Sequence, residues 1–323
     1  MKILVTGGAG FIGSHVSDLL LAHEHSVVAL DNFDSHYGKR FKRRNIESAL
    51  RHPNYKLVEG DYGAHFEVCE LLQAEKFDAV LHLAAQPSAA FSLEDSLKYE
   101  RTIVSNLLSF LEALREHGPR KIVSVSSCAV YGRTTPLPFR EYAPCSQPLS
   151  PYGAFNRASE IFLATYQRIY GFKALIVRPF TVYGPRQRPE MAVISFARAI
   201  LQDSSLLLFG DGSTARDCVY IADVAEALAA ALQTFPSDFG IYNLGSGVSV
   251  TLSQLIRQLE ALIGKQAKLE RLPLRLGEVA RTLADTSKAA KELAFQPKVK
   301  LDEGLELTVK WLKEEFKREG AKS

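Results

Sequence analysis

The chain has 323 residues, 46% hydrophobic and 23% charged, which is the balance of a globular protein and too long for one small core, so a large α/β unit with a smaller attached part is expected. A net charge of +3 is too small to argue for nucleic acid or a membrane surface as partner. Cys69, Cys128, Cys145 and Cys218 form no CxxC pair, which speaks against a disulfide framework and for a reducing, cytoplasmic setting.

Short apolar runs alternate with helical spacing along the first half. Ile3-Leu4-Val5, Val27-Val28-Ala29-Leu30, Tyr55-Lys56-Leu57-Val58, Ala79-Val80-Leu81 and Ile122-Val123-Ser124-Val125 predict strands, and Ala174-Leu175-Ile176-Val177 a sixth. Between them Val16, Leu19 and Leu20, and then Leu107, Leu108, Leu111 and Leu114, have helical spacing, and a helix is expected after Tyr152. This rhythm implies a doubly wound parallel sheet with right-handed crossovers. After Arg178-Pro179 the Pro-, Gly- and Arg-rich stretch 181–189 reads as a loop into a substrate-binding part. The alanine-rich stretch 225–232 predicts a helix that returns to the sheet. The division expected is 1–179 for a dinucleotide-binding domain, with a return near 222–242, and 180–323 for a smaller C-terminal substrate domain. The polar tail 317–323 is expected to fray. The opening apolar run is too short for a signal-peptide core, and none reaches the roughly 18 residues of a membrane span. His23 and His25 lack further ligands, so no metal site is expected.

Gly7, Gly8, Gly10 and Gly13 fall between the first strand and the first helix. Glycines there permit a tight turn and close approach of backbone to a pyrophosphate, whose charge meets the open N–H groups of the helix N-terminus. Asp31 ends the second strand, 18 positions after Gly13. A carboxylate at that point accepts from ribose hydroxyls and repels a 2′-phosphate, which favours NAD over NADP. The basic run Lys39, Arg40, Lys42, Arg43, Arg44 reads as a solvated helix face.

The string Thr6-Gly7-Gly8-Ala9-Gly10-Phe11-Ile12-Gly13-Ser14-His15 resembles the opening of the nucleotide-sugar epimerases and dehydratases of the extended short-chain dehydrogenase/reductase family. Further matches follow in order: His82-Leu83-Ala84-Ala85-Gln86, Ser126-Ser127, Val130-Tyr131-Gly132, Ser150-Pro151-Tyr152-Gly153-Ala154, Arg178-Pro179-Phe180-Thr181-Val182-Tyr183-Gly184-Pro185-Arg186-Gln187-Arg188-Pro189, Phe209-Gly210-Asp211-Gly212, Arg216-Asp217 and Ala284-Asp285-Thr286-Ser287-Lys288-Ala289. The stretch 181–191 is most similar to UDP-glucuronate 4-epimerases. The resemblance implies a Rossmann domain holding NAD through Gly7, Gly10, Phe11, Ile12, Gly13, Asp31 and Asn32, with Asp61 and Tyr62 by the adenine and Leu83, Ala84 and Ala85 lining the cleft. It implies a UDP-sugar met by Gln86 and Ser127, with Arg216 and Arg275 at the diphosphate and Thr181 and Arg188 at a sugar carboxylate. Forked arginine donors suit both anions. It further implies a homodimer through helices near 92–117 and 152–170, whose apolar faces fit packing on the sheet alone equally well.

The family's tyrosine base corresponds to Tyr152 and its partner hydroxyl to Ser127. A lysine four residues after the tyrosine normally assists; here position 156 is Asn156, preceded by Phe155. An amide can hydrogen-bond the nicotinamide ribose but brings no charge to lower a phenol that titrates near pH 10. Slow turnover is therefore expected unless another cation takes over. The family's helix asparagine falls at Ile103, with Asn106 one turn later, and Ala90 stands where an arginine is common in glucuronate epimerases. Cys128 and Ala129 replace the carboxylates that dehydratases and UDP-glucuronate decarboxylases carry after Ser127. Cys128 reads as a small filler before a nucleophile. The expectation is 4-epimerisation of a UDP-sugar, UDP-glucuronate before UDP-glucose, with a non-catalytic binder or a lyase-type relative as alternatives.

Overall fold

Strands covered on both faces read as unbroken apolar runs, and Ile3-Leu4-Val5 shows why: Ile3 and Val5 enter one core while Leu4 enters the opposite one. The computed structural model describes residues 1–34 and 38–320. The chain begins β1 (Lys2–Thr6), α1 (Phe11–Ala22), β2 (Ser26–Asp31), α2 (Lys39–Asn45), β3 (Tyr55–Glu59), α3 (His65–Ala74), β4 (Ala79–His82). Short helices α4 (Ala89–Glu94) and α5 (Ser96–Glu100) lead through a π-helical turn (Arg101–Ser105) into α6 (Asn106–His117). Next come β5 (Lys121–Val125), α7 (Pro151–Tyr170), β6 (Lys173–Pro179), β7 (Thr181–Tyr183) and α8 (Ala192–Leu201). They are followed by β8 (Ser205–Phe209), β9 (Ala215–Tyr220), α9 (Ile221–Thr234) and β10 (Phe239–Leu244). The chain closes with β11 (Ser249–Thr251), α10 (Leu252–Ile263), β12 (Lys268–Leu272), α11 (Ser287–Leu293) and α12 (Leu301–Gly320).

The main sheet has seven strands in the order β10-β6-β5-β4-β1-β2-β3, parallel throughout. Val16 and Leu20 of α1 and Val224 and Leu228 of α9 cover one face. Leu107 and Leu111 of α6, Val68 of α3 and Leu163 of α7 cover the other. The doubly wound α/β fold expected from the sequence is thus present. Successive connections diverge to opposite sides between β1 and β4, which opens a crevice beyond the carboxyl ends of those strands.

The smaller part carries a three-stranded sheet, β11-β9-β7, and the parallel pair β12-β8. Two expectations are corrected here. Residues 181–183 are not loop: they form β7, paired in parallel with Cys218, Val219 and Tyr220 of β9, a partner too distant in sequence to read. Residues 317–320 do not fray but extend α12, whose apolar stripe packs Leu305, Val309 and Leu312 into the core; residues 321–323 lie outside the described residues. No helix among the described residues is long and apolar enough to cross a membrane.

Candidate active site

The glycine loop after β1 is shaped by what it excludes. Gly7 has φ +70°, and a Cβ there would lie 2.9 Å from the Ala84 amide nitrogen. A Cβ on Gly13 would lie 2.3 Å from the Gly7 carbonyl oxygen. Glycine at both positions lets α1 start directly at the cleft. Gly10 caps that helix without a side-chain hydrogen bond, so its first-turn N–H groups, at Phe11, Ile12 and Gly13, face the cleft as an anion-binding end. A dinucleotide pyrophosphate fits this cradle in both shape and charge.

At the far end of the crevice Asp31 is buried, 4% exposed, and accepts from Phe33 N (2.8 Å) and Ala9 N (3.1 Å). Lys42 Nζ pairs with it at 2.7 Å. The basic run is a solvated face only in part: Lys39, Arg40 and Arg43 are exposed, Arg43 pairing with exposed Glu59 and packing on Phe33, whereas Lys42 serves buried Asp31 and Arg44 pairs with Glu315. Asn32 Nδ2 donates to Asp61 Oδ2 (2.8 Å), and Asn106 Nδ2 donates to Asp61 Oδ1 (3.0 Å). Ile103 is buried away from the cleft, whereas Asn106, just past the π-turn, lines it. The Tyr62 hydroxyl donates to the Thr102 carbonyl within that turn.

The reacting end is built on α7. Ser150 caps it by accepting from Gly153 N at 3.2 Å, and Pro151 opens its first turn. Tyr152 and Asn156 follow one turn apart. One turn further, Glu160 is buried and takes two 2.7 Å hydrogen bonds from Arg178 Nε and Nη2, with a third from Ser126 Oγ at 2.7 Å. That charged fork locks α7 to β6 and to the end of β5, and so fixes Tyr152 beside Ser127. Burial pushes the Tyr152 phenol above its usual value of 10.0; hydrogen bonding from Ser127, the charge of Arg188 and the amide of Asn156 pull the other way without cancelling it. Asn156 Nδ2 is turned back to the Tyr152 carbonyl at 2.8 Å. Burial holds the Cys128 thiol up at about 12, which disfavours a thiolate near neutrality and fits a small filler better than a nucleophile.

Thr181 starts β7 at the opposite wall. Arg188 Nη1 lies 2.9 Å from Glu190 Oε1. Arg216 Nη2 donates to Glu278 Oε2 at 2.9 Å, and its Nη1 to the Val279 carbonyl. The Arg275 guanidinium stacks 3.6 Å from the Phe209 ring centroid. Behind Arg216, Asp217 is fully buried and accepts from Ser246 N, Gly247 N and Ala284 N, tying two loops to β9.

Every residue that the sequence nominated lines one cleft of about 1180 Å³: Gly7, Gly10, Phe11, Ile12, Gly13, Asp31, Asn32, Asp61 and Tyr62 at the cofactor end, Leu83, Ala84, Ala85 and Gln86 along the floor, and Ser127, Tyr152, Asn156, Thr181, Arg188, Arg216 and Arg275 beyond. That exceeds the roughly 300–1,000 Å³ of a pocket for one small ligand, leaving room for a dinucleotide and a second ligand. Lys42, Lys98 and Arg101 also line it and were not nominated. For Lys42 the signal was the charge run itself, read without its partner Asp31.

A parallel α/β sheet, a side-chain-free cradle for a dinucleotide, a buried phenol against a serine hydroxyl and arginines on the facing wall define a nicotinamide-dependent enzyme acting on a second, anionic ligand. The chain belongs to the NAD dependent epimerase/dehydratase family, which it matches over residues 3–245. NAD is its cofactor. Among relatives, a UDP-glucuronate 4-epimerase of Thermodesulfobacterium geofontis is 37% identical over 312 residues, spanning 96% of each chain. A UDP-glucuronic acid 4-epimerase from Bacillus cereus, solved with UDP-glucuronic acid and NAD, superposes with a TM-score of 0.92 at 34% identity, covering 97% of this chain and 99% of that one. A UDP-glucose 4-epimerase from Thermotoga maritima, solved with UDP-glucose, gives a TM-score of 0.91 at 33% identity, covering 98% and 100%.

Proposed function

We propose that this enzyme inverts C4 of a UDP-sugar, and that UDP-glucuronate is the sugar nucleotide it takes. The observation that carries the reading is the meeting of Tyr152, Ser127 and Arg188 in one cleft, with the charge of Arg188 acting on the phenol. The relatives named for UDP-glucuronate epimerisation support the same choice of sugar.

NAD, when bound, supplies reversible hydride acceptance at the sugar carbon. The chain's own residues do the rest. Gly7, Gly10, Phe11, Ile12 and Gly13 receive the pyrophosphate, Asp31 and Asn32 the adenosine ribose, and Asp61 and Tyr62 flank the adenine. Leu83, Ala84 and Ala85 wall the nicotinamide side. Tyr152 takes the C4 hydroxyl proton, and Ser127 holds the same oxygen in line. Asn156 positions the ribose next to the phenol. Arg188 does double duty in this scheme. It takes the sugar carboxylate in exchange for Glu190, with Thr181 alongside, and it supplies part of the positive charge that position 156 lacks. Gln86 contacts the sugar, and Arg216 and Arg275 hold the diphosphate. Residues 1–179, with the return 222–242, form the cofactor part and 180–323 the substrate part.

Two copies associate in this reading through α5 and α7, where Leu97 is 81% and Ile161 52% exposed, apolar area that a monomer leaves in water. All four cysteines are free, which suits a cytoplasmic enzyme.

Proton NMR of UDP-glucuronate incubated with the protein tests the function. Inversion at C4 supports it. Loss of carbon dioxide would make the protein a lyase, and unchanged sugar with NAD bound would make it a binder. Faster turnover of UDP-glucose than of UDP-glucuronate would overturn the choice of sugar.

A further inference from the structure

Away from the cleft, the fold assembles donor atoms that the sequence keeps apart. His65 and Cys69 stand one turn apart on α3, on the same face. Glu116, 47 positions beyond Cys69, lies in the last turn of α6. Packing of α3 against α6 through Val68, Leu72, Leu111 and Leu114 brings the three together. His65 Nε2 lies 3.6 Å from Glu116 Oε2 and 3.7 Å from Cys69 Sγ, and Cys69 Sγ lies 3.9 Å from Glu116 Oε2. A tetrahedral zinc with bonds of about 2.0–2.3 Å separates its donors by about 3.3–3.6 Å. The observed triangle is a few tenths of an ångström wider.

We propose that His65, Cys69 and Glu116 form a three-ligand site for a thiophilic divalent cation of the zinc type at the junction of α3 and α6. Three observations bear on it besides the distances. First, His65 Nδ1 lies 3.3 Å from the Ser109 carbonyl. A carbonyl only accepts, so Nδ1 carries the proton and Nε2 turns its lone pair into the triangle, the outer-sphere arrangement that metal-bound histidines use. Second, Arg115 Nη2 sits 3.7 Å from Glu116 Oε1, engaging that oxygen and leaving Oε2 toward His65 and Cys69. Third, the His65 and Glu116 side chains are 32% and 38% exposed, so an ion can enter from solvent, and water completes the fourth position. His117, whose Nε2 is 3.9 Å from Glu116 Oε2, stands at the rim. One imidazole, one sulfur and one carboxylate select zinc or cobalt over magnesium or calcium. On binding, the Cys69 thiol proton leaves to solvent and the sulfur becomes a thiolate ligand.

The consequence is structural. Asp61, just before α3, accepts from Asn106, the first residue of α6, and both line the cofactor cleft. An ion joining the two helices stiffens that wall.

The test uses the full-length, NAD-loaded protein after chelator treatment. Cobalt(II) is titrated in and followed by absorbance, and zinc is then added. The expected result is a thiolate-to-cobalt charge-transfer band that zinc abolishes, together with a rise in Tm on adding zinc but not magnesium. Cys69→Ser should lose the band. It should also weaken zinc by at least the roughly 10- to 100-fold that a lost outer-sphere partner costs. His65→Gln, at a more exposed position, should weaken zinc likewise and guards against a folding defect in the cysteine variant. Absence of the band in the wild type, its survival in Cys69→Ser, or an equal Tm rise with magnesium would each overturn the site.

Discussion

Replacing Asn156 by lysine should accelerate the enzyme at neutral pH, and the structure sets the size of the gain. The Tyr152 phenol lies above 10.0 because it is buried, and hydrogen bonds from Ser127 and Asn156 with the charge of Arg188 compensate only in part. Asn156 is on the next turn of the same helix, lines the cleft and spends its Nδ2 on the Tyr152 carbonyl at 2.8 Å. An ammonium within about 4–6 Å of the phenolate lowers a pKa by about 1–3 units. Below the pKa, each unit multiplies the ionised phenol about tenfold. Proton transfer then loses roughly half of that gain in logarithm to the weaker basicity. The net rise in kcat is about 3- to 30-fold, and the pH of half-maximal kcat should fall by about 1–3 units. The lost Asn156 hydrogen bond should cost about 0.5–1.5 kcal/mol of stability. Conversion of UDP-glucuronate by NMR across pH gives the rates, and calorimetry with NAD checks cofactor binding. An unchanged kcat and pH profile with NAD affinity intact would show that position 156 does not limit the base.

Three further outcomes follow from the geometry. Gly13→Ala places a Cβ 2.3 Å from the Gly7 carbonyl; strain of about 1–3 kcal/mol should weaken NAD by about 5- to 150-fold in a calorimetric titration, and undiminished affinity would contradict the cradle. Glu160→Gln leaves Arg178, 0% exposed, without its charged partner, and urea unfolding should show a loss of about 3–5 kcal/mol; a loss under 1 kcal/mol would mean water reaches the fork. His82 and His15 are held down at about 4 from 6.5, each chiefly by burial. Both fold as neutral rings while the unfolded chain takes up protons below 6.5. Stability is therefore complete above about pH 6.5 and falls toward pH 4, by up to about 3 kcal/mol for each ring; His82→Gln should flatten its share of that fall in urea titrations from pH 7 to 4, and an unchanged slope would rule the ring out.

What the sequence revealed and what it hid divide along physical lines. Ile3-Leu4-Val5, Val27-Val28-Ala29-Leu30 and Ala79-Val80-Leu81 were legible because strands covered on both faces need unbroken apolar runs, and the glycines at 7 and 13 because a Cβ there would strike the backbone. Residues gathered at the carboxyl ends of the strands could be nominated as one site because the winding of the sheet brings those ends together. Pairings across long separations were not legible. β7 looked like a loop because its partner, β9, lies more than thirty residues on. Lys42 looked solvated because Asp31 and the curl of α2 are needed to bury it. Asn106, just past the π-turn at Arg101–Ser105, is the asparagine that lines the cleft, one turn after Ile103, and helical spacing alone does not announce the π-turn between them. His65 and Cys69 carried no ligand signature until α6 supplied Glu116.

Epimerisation by Tyr152 and bound NAD is oxidation and re-reduction at a single sugar carbon. Epimerisation of UDP-glucuronate in deuterium oxide, read by proton NMR and mass, examines that directly. The C4 hydrogen should leave and return without meeting solvent, so the product should carry protium at C4. Deuterium at C4 would contradict it, because the inversion would then proceed by proton exchange with water, and the cradle at Gly7, Gly10 and Gly13 would have no part in the chemistry.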